Sequence, residues 1–202
     1  MSSGNYGALN VSNKSYSSHV TLVSAEPRGA VFTSVKISNT NYLRVDNVHV
    51  DNPDNGGTAS KVVSVTNGSS HIEFLNSEVN GKVDGDFSGH YGLYSNKSSD
   101  VTFEGNFVHD VKVGAVFNAV EDVTVRGNSL EDIGSDNFKF SSIKGALIEG
   151  NLGSRNFHPQ AGDHIDFIQF QPNGNSSDIV IRGNVSMPSN IANMQGIYLG
   201  AV

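Results

Sequence analysis

The sequence contains no cysteine and no tryptophan, and it has no long apolar run. Because cysteine is absent, disulfides and thiolate metal sites are excluded, and packing alone must stabilise the 202-residue chain. A chain of this length can bury a sizeable core within one domain. No apolar stretch reaches membrane-spanning length, and the first residues lack the basic and apolar segments of a signal peptide. We therefore expect one domain and no membrane insertion.

Basic residues are also few, since 13 Lys and Arg stand against 20 Asp and Glu, for a net charge of -7. Binding to nucleic acid or to an anionic membrane favours clustered Lys and Arg, so we expect neither partner. The apolar residues occur in short runs rather than at helical spacing, and Gly, Asn and Ser are abundant. This pattern is typical of an all-β protein with many turns.

A repeat organises most of the chain. Six short strand segments end in Asn at their sixth position, which predicts an Asn at the same corner of six coils. An Asn side chain at such a corner can bond the Asn of the next coil and the local backbone, so stacked corners favour the same residue. The six segments begin at Tyr42, His71, Val101, Val123, Ala146 and Ile179, and their corner residues are Asn47, Asn76, Asn106, Asn128, Asn151 and Asn184, while an earlier segment from Val20 has Ala25 there.

Each coil also carries a second short strand, and strands that pair only with their copies above and below form a solenoid. The sequence therefore predicts an all-β, right-handed parallel β-helix of about seven coils at residues 20–202, incomplete at the C-terminus, after an N-terminal segment or cap at 1–19. Alternation along the second strands predicts an interior set and an outer column. The interior set is Ala115, Phe117, Phe138, Phe140, Ile168, Phe170, Ile197 and Leu199, and the outer column is Val116, Lys139, Gln169 and Tyr198.

The coils differ in length, and the extra residues fall at one place in the repeat. Segments near 52–60, 80–90 and 155–164 are predicted to project as loops from one edge of the stack. The two short coils at 101–122 and 123–145 would then form the floor of a groove. Loops on a rigid scaffold often carry binding residues. The alternative is that the insertions are merely tolerated, because longer loops cost little closure entropy.

The residues from 155 to 171 hold an unusual concentration of polar and titratable groups. Alignment of the second strands places Asp136 beside Asp166 on adjacent coils, and Lys139 beside Gln169. Like charges one coil apart raise one pKa, as an acid and base pair requires, and this spacing suits a retaining glycosidase. The alternative is that each Asp caps a turn by bonding its own backbone. The candidate catalytic residues are Lys139, His164, Asp166 and Asp136.

A lyase or epimerase acting on a uronic acid needs a cation for the carboxylate, a base and an acid. Lys139 or a bound cation could serve as the first, His164 or Lys139 as the second, and Tyr91, Tyr94 or Tyr198 as the third. His109 and Asp110 could equally be a turn with solvated side chains. The candidate substrate-binding residues are His90, His109, Lys112, His158, Gln169 and Tyr198.

The sequence pattern requires no cofactor. No two histidines have the spacing of a zinc site. Calcium is compatible with the chain, because its oxygen ligands can come from any loop, and the ligand residues of a metal stay unassigned. Oxygen ligands for calcium could come from Asp51, Asp54, Asp84 and Asp86.

The strands with an apolar-alternating pattern and a final GN, such as VTFEGN and IVIRGN, resemble those of right-handed parallel β-helix proteins of the pectin-lyase-like superfamily. The segment DHIDFIQF, followed by IVIRGN, looks most like bacterial and phage alginate epimerases, polysaccharide lyases and tail spikes, although the epimerase D-P-H-E motif is absent. The resemblance implies a protein outside the cell or on a virion surface that cuts or epimerises a polysaccharide in a lateral groove. The alternative that it implies is a non-catalytic glycan-binding spike, adhesin or phage-tail component, as a homotrimer or within a larger assembly.

Overall fold

The computed structural model describes residues 1–52, 60–81, 90–156, 165–172, 174–188 and 194–200. Within these ranges no helix is long and apolar enough to cross a membrane. The strands are short and numerous because the apolar residues of the sequence alternate over short stretches between turns. They are β1 Gly4–Asn5, β2 Ala8–Val23, β3 Ala30–Phe32, β4 Ser34–Asp46, β5 His49–Asp51, β6 Ser60–Thr66, β7 Ser70–Leu75, β8 Glu78–Asn80, β9 His90–Glu104, β10 Phe107–Val111, β11 Val113–Arg126, β12 Ser129–Ile133, β13 Phe138–Ser141, β14 Lys144–Glu149, β15 Leu152–Ser154, β16 Ile165–Phe170, β17 Ser177–Arg182, β18 Val185–Ser186 and β19 Met194–Leu199.

The strands stack into a parallel β-solenoid. The first sheet has the order β1-β3-β5-β8-β10-β12-β15-β18, and the main path of the second sheet is β2-β4-β6-β9-β11-β13-β16-β19. Strands β2, β4, β9 and β11 bend, so that their first parts lie on this second face and their last parts lie on a third face with β7, β14 and β17. The predicted all-β fold of stacked parallel strands is confirmed, and the stack is close to the predicted seven coils.

The inward side chains of successive coils form continuous apolar columns. In one column the rings of Phe117 and Phe140 stack with centroids 5.0 Å apart, and those of Phe140 and Phe170 stack at 4.9 Å. Phe117 and Phe140 are fully buried, and Phe170 is nearly so. Burial of one such side chain contributes about 1.5–3 kcal/mol, so these columns are a main source of stability.

The register places the predicted interior set, from Ala115 to Leu199, in two inward columns, and its members are buried except in the last coil. Ile197 and Leu199 are 52% and 67% exposed. Both point along the same columns as Ile168 and Phe170 of the coil before. Within the described part of the chain, β19 pairs only with β16.

Four of the six predicted corner amides form a ladder, in which Asn106, Asn128 and Asn151 are buried and Asn184 is half-buried. The backbone N–H and the side-chain amide of Asn106 both donate to Oδ1 of Asn128, each at 3.0 Å. Asn128 donates in the same way to Asn151, and Asn151 to Asn184. Each of the first three side-chain amides also bonds the backbone carbonyl of a preceding coil, such as Phe103 for Asn128. The predicted physical role of these amides is thus confirmed.

The other two amides, Asn47 and Asn76, do not belong to this ladder, and their predicted alignment is wrong by one residue. The register pairs Leu75 with Glu104, which places Asn76 opposite Gly105 and Ser77 opposite Asn106. Asn47 and Asn76 have positive φ angles of 56° and 49°, a conformation that Gly adopts in the later coils and that Asn tolerates. Ser77 holds the corner instead, since its N–H donates to Oδ1 of Asn106 at 3.0 Å.

The three long connections of the chain start and finish at one edge of the stack. The chain leaves the first sheet at the ends of β5, β8 and β15 and enters the second sheet at the starts of β6, β9 and β16, and these positions are in register. Two short coils lie between the second and third connections, and in the first of them only Lys112 separates β10 from β11. Most of the predicted loop residues lie outside the described ranges, so the groove walls stay a prediction.

Candidate functional site

The outward side chains of the second sheet form one column across successive coils. The register places Val116, Lys139, Gln169 and Tyr198 in line, as predicted, and adds Tyr94 on the coil before Val116. Neighbouring positions in such a column are separated by about 4.8 Å, the spacing of paired strands. The column presents Tyr94, Val116, Lys139 and Tyr198 at the surface, whereas Gln169 is buried at 3% exposure.

Lys139 is held in this column by a buried carboxylate. Its Nζ donates to Oδ2 of Asp136 at 3.2 Å, and the Lys139 side chain is 31% exposed while that of Asp136 is 3% exposed. The other oxygen of Asp136 accepts the backbone N–H of Asp166 at 3.1 Å. Burial raises the pKa of Asp136, although the charge of Lys139 and the hydrogen bond from Asp166 oppose this shift. Asp136 thus fixes the cation and links two coils.

Asp166 lies on the coil next to Asp136, at the equivalent position, and is fully buried. Its Oδ2 accepts Nε2 of Gln169 at 2.9 Å, and Oε1 of Gln169 accepts Nε2 of Gln171 at 3.1 Å. Asp136 accepts a backbone amide of the adjacent coil. Since both carboxylates are buried, a ligand that lies on the outer face meets Lys139 before it meets either acid.

Lysines and tyrosines dominate the rest of this surface. Lys61 lies over the ring of Tyr94, with Nζ 4.1 Å from the centroid, and Lys36 occupies the same column as Tyr94 two coils earlier. Burial raises the pKa of the Tyr94 phenol, which keeps it neutral and able to donate a hydrogen bond. We call the surface formed by Lys36, Lys61, Tyr94 and Lys139 the lysine face.

The lysine face is cationic even though the whole chain is acidic. On the described strand segments of this second face, the only acidic residue is the buried Asp166. A depression of about 270 Å³ opens at the centre of the face. Its polar lining includes Tyr94, Asn118, Lys139, Ser141 and Gln171. Cations and hydrogen-bonding groups without exposed carboxylates favour an anionic, hydroxyl-rich ligand.

His90, Lys112 and His109 lie outside the column that contains Lys139. His90 is 1% exposed at the start of β9, and Lys112 lies one coil further at the bend before β11. His109 lies on β10 of the first sheet, on a different face of the stack. His158 and His164 lie outside the described residues.

His109 belongs to a charged group on the first sheet. Its Nδ1 is 2.6 Å from Asp110 and its Nε2 is 3.3 Å from Glu78, which also pairs with Arg28 at 3.0 Å and lies 3.9 Å from His49. Burial would raise the pKa of Glu78, but the hydrogen bond from His109 and the charges of His49 and Arg28 outweigh it and lower that pKa. We call His49, Glu78, His109 and Asp110 the imidazole-carboxylate cluster.

Sequence reasoning did not identify Glu78 or His49, nor the ion pairs of Arg155. Arg155 bonds Asp132 at 3.1 Å and also pairs with Glu131. Burial raises the pKa of Asp132, with Arg155 opposing the shift. The sequence contains one signal for the contacts of Glu78. The segments HVD, EVN and FVHDV occupy the same position of successive coils, which places His49 and His109 on the two coils next to Glu78.

No group of three or more His, Asp or Glu side chains suited to hold a metal occurs among the described residues. Of the residues suggested for calcium, Asp51 accepts Nδ2 of Asn80 at 2.8 Å. Asp54, Asp84 and Asp86 lie outside the described ranges. A calcium site at this edge therefore stays a prediction.

Comparison of the chain with protein-family models, with curated proteins and with solved structures finds no match. The fold assignment therefore rests on the strand pairing itself. The finer resemblance to the pectin-lyase-like superfamily rests only on the GN-ended strands. Function has to be argued from the lysine face and its chemistry.

Proposed function

We propose that this protein binds a carboxylated polysaccharide, outside the cell or on a virion surface, with the sugar chain lying along the lysine face. The observation that carries the proposal is the position of Lys139, which a buried Asp136 holds at the outer surface of the stack. A buried anion fixes the ammonium group before the ligand arrives, so little conformational entropy is lost on binding.

The remaining groups of the lysine face suit the same ligand. Lys61 provides a second cation, and the Tyr94 phenol can donate to a sugar hydroxyl. Tyrosine rings also pack against the apolar faces of sugars. Because coils repeat at about 4.8 Å, a polymer that lies along the face can contact Lys36, Tyr94 and Lys139 in turn. The lack of exposed carboxylates in the described part of this face removes the main source of repulsion.

Binding of defined polysaccharides tests the proposal. Isothermal titration with alginate and pectate, and with dextran as a neutral polymer, should show binding of the acidic chains only, weakened by added salt. Lys139→Met should weaken binding by roughly tenfold or more, the usual effect of removing a charge-assisted hydrogen bond. Lys144→Met is the matched control, since Lys144 is an exposed lysine of the third face. Equal affinity of Lys139→Met and the parent chain, or equal binding of dextran, would refute the proposal.

Processing of the bound polysaccharide, as a lyase, epimerase or glycosidase, is the second candidate function. The observation that favours it is Asp136, whose pKa is raised by burial and which contacts Lys139 beside a second carboxylate. A raised carboxyl pKa is typical of a general acid. The predicted catalytic roles of Asp166 and His164 belong to this second candidate function and stay predictions.

Product analysis separates the two functions. Incubation with alginates, pectins and bacterial capsules, followed by absorbance of unsaturated ends and by reducing-end assays, detects elimination and hydrolysis. Under the second candidate, Asp166→Asn and His164→Ala should abolish turnover while binding to the lysine face persists. Binding without any product from any polymer would leave recognition alone as the function.

A further inference from the structure

The cations of the lysine face fall into two groups along the stack. Lys36 lies on β4 and Lys61 on β6, whereas Lys139 lies on β13. Strands β9 and β11 separate β6 from β13 in the second sheet, so the strands that carry Lys61 and Lys139 are roughly 14 Å apart. Positive charge is therefore concentrated at two places of this face rather than repeated on every coil.

The outward side chains between these two groups are uncharged. They lie on β9 and β11, in the outer column and beside it. The lysines of these two coils lie at the borders of the face: Lys97 is at the corner before the third face, with a φ of 51°, and Lys112 is at the bend before β11, with an interaction of its own. We call the uncharged side chains the neutral section, and its residues are Tyr91, Tyr94, Asn96, Val116 and Asn118.

The neutral section offers groups that suit uncharged sugar rings. The rings of Tyr91 and Tyr94 are nearly parallel, with centroids 6.3 Å apart, and tyrosine rings pack against the apolar faces of sugars. Nδ2 of Asn118 donates to Oδ1 of Asn96 at 2.9 Å. Within the described chain, this bond leaves Oδ1 of Asn118 to accept and Nδ2 of Asn96 to donate, and a sugar hydroxyl matches both functions.

The short side chain of Val116 leaves room at the centre of the neutral section. Val116 stands between Tyr94 and Lys139 in the outer column, and all three residues line the depression of about 270 Å³. A sugar ring in this depression contacts the uncharged Tyr94, Val116 and Asn118, with Lys139 at its border.

A carboxylate that lies over the neutral section would lose hydration without gaining a cation. Removal of an unpaired carboxylate from water is costly. Because a sugar ring and a coil step have similar lengths, a polymer with a carboxylate on every ring places carboxylates over this section as well as beside the lysines. A polymer whose acidic rings are separated by neutral rings avoids that cost and still reaches both groups of lysines.

We propose that the preferred ligand of the lysine face is an acidic heteropolysaccharide, in which neutral sugars separate the carboxylated ones, rather than a polymer of uronic acid alone. Its carboxylates pair with Lys61 and Lys139, and its neutral rings lie on the neutral section between them. This proposal rests on the function proposed above and specifies the spacing of charge in the ligand.

Two oligosaccharides of equal length test the spacing of charge. An octasaccharide from deacylated gellan has one glucuronate in every four sugars, whereas an alginate octasaccharide has a uronate at every position. In isothermal titration we expect the gellan octasaccharide to bind roughly tenfold more tightly, because the alginate carboxylates over the neutral section lose hydration. The total charge of the two ligands predicts the opposite order. A carboxyl-reduced gellan octasaccharide is the matched control and should bind more weakly than the gellan octasaccharide itself.

Val116→Lys tests the neutral section. A cation at its centre should raise the affinity for the alginate octasaccharide and abolish the preference for gellan, because the carboxylates there then find a partner. Ser129→Lys adds the same charge on the first sheet and should keep the preference. Circular dichroism checks that both variants are folded, and the comparison of the two octasaccharides on the parent chain is decisive if Val116→Lys does not fold.

The outcomes separate this proposal from the function on which it rests. Equal or tighter binding of the alginate octasaccharide by the parent chain, or a preference for gellan that persists in folded Val116→Lys, would overturn the spaced-charge ligand and leave binding of acidic polysaccharides standing. If neither octasaccharide binds the parent chain, both proposals fail.

Discussion

On the first sheet, charges of neighbouring coils neutralise each other, whereas on the second sheet the carboxylates are buried and the lysines stay outside. Glu78 lies among His49, His109 and Arg28, and these contacts lower its pKa. Among the residues that the structure describes, Asp136 has one cationic partner, Lys139, and burial raises the pKa of Asp136. The same solenoid thus uses charge on one face to join coils and on the other to present cations to a ligand.

The difference between the two faces depends on the register that aligns the coils, and Asn128→Leu should disturb that register. Asn128 accepts two bonds from Asn106 and donates to Phe103 and Asn151, all in a buried corner. Each buried group left without a partner costs about 1–3 kcal/mol, so we expect a loss of roughly 3 kcal/mol or more in urea unfolding. Asn76→Gly is the control and should change stability by less than about 0.5 kcal/mol, because Gly suits its positive φ. Equal losses in both variants would contradict the role of the ladder.

A carboxylate placed on the lysine face should remove the difference between the faces. Val116→Glu puts an acid next to Lys139 in the outer column. We expect affinity for alginate to fall roughly tenfold or more, because the new charge neutralises Lys139 and repels the ligand. Ser129→Glu makes the same change in charge on the outer face of the first sheet, between Phe107 and Leu152, and should leave affinity unchanged. Equal weakening of alginate binding by both variants would contradict binding at the lysine face.

The contacts of Glu78 on the first sheet should lose their stabilising effect in acid. Because its folded pKa lies below the usual value of 4.5, its contribution is present above that value and is lost as pH falls through the lowered pKa. Glu78→Gln should therefore be less stable than the parent chain at pH 7, by about 1 kcal/mol, and equally stable at strongly acidic pH. Thermal unfolding at several pH values measures this difference. A gap between the two chains that stays constant with pH would exclude the proposed charge contacts.

Substitution of Asp136 should have the smallest effect on stability, and the pH dependence of that effect should have the opposite sign to that of Glu78. Its folded pKa lies above the usual value of 3.8, so its contribution to stability is present below that value and is lost as pH rises through the raised pKa. Asp136→Asn keeps an oxygen for the Asp166 N–H and removes the buried charge, so its stability at pH 7 should stay within about 1 kcal/mol of the parent chain. On acidification the parent chain should gain relative to the variant. The reverse trend in thermal unfolding would show that Lys139 outweighs burial.

The repeat in the sequence was sufficient to predict the parallel stack and the outer column, because local alternation sets which side chains point inward. The alignment went wrong at Asn47 and Asn76, where Asn serves the left-handed position that Gly105 occupies in a later coil. Sequence alone does not separate these roles, because Asn suits both a buried corner and a positive φ.

The candidate site was predictable in part. Asp136, Lys139, Asp166 and Gln169 lie together because they occupy equivalent positions of adjacent coils. His109 was predicted for the same groove, but the chain turns a corner between His109 and the second sheet, so His109 faces Glu78 instead. Such a corner changes the face of the stack within a few residues, and its position depends on how coils pack rather than on local pattern.

By itself, the sequence determined the fold class, the inward columns and the neighbours within each column, because strand alternation and coil repetition are local properties that add up along the chain. Tertiary structure alone decided which charges are buried, Asp136 and Asp166 among them, and which are paired across coils. Burial and pairing depend on side chains from several coils at once, and solvation energies follow from that three-dimensional packing and not from the order of residues.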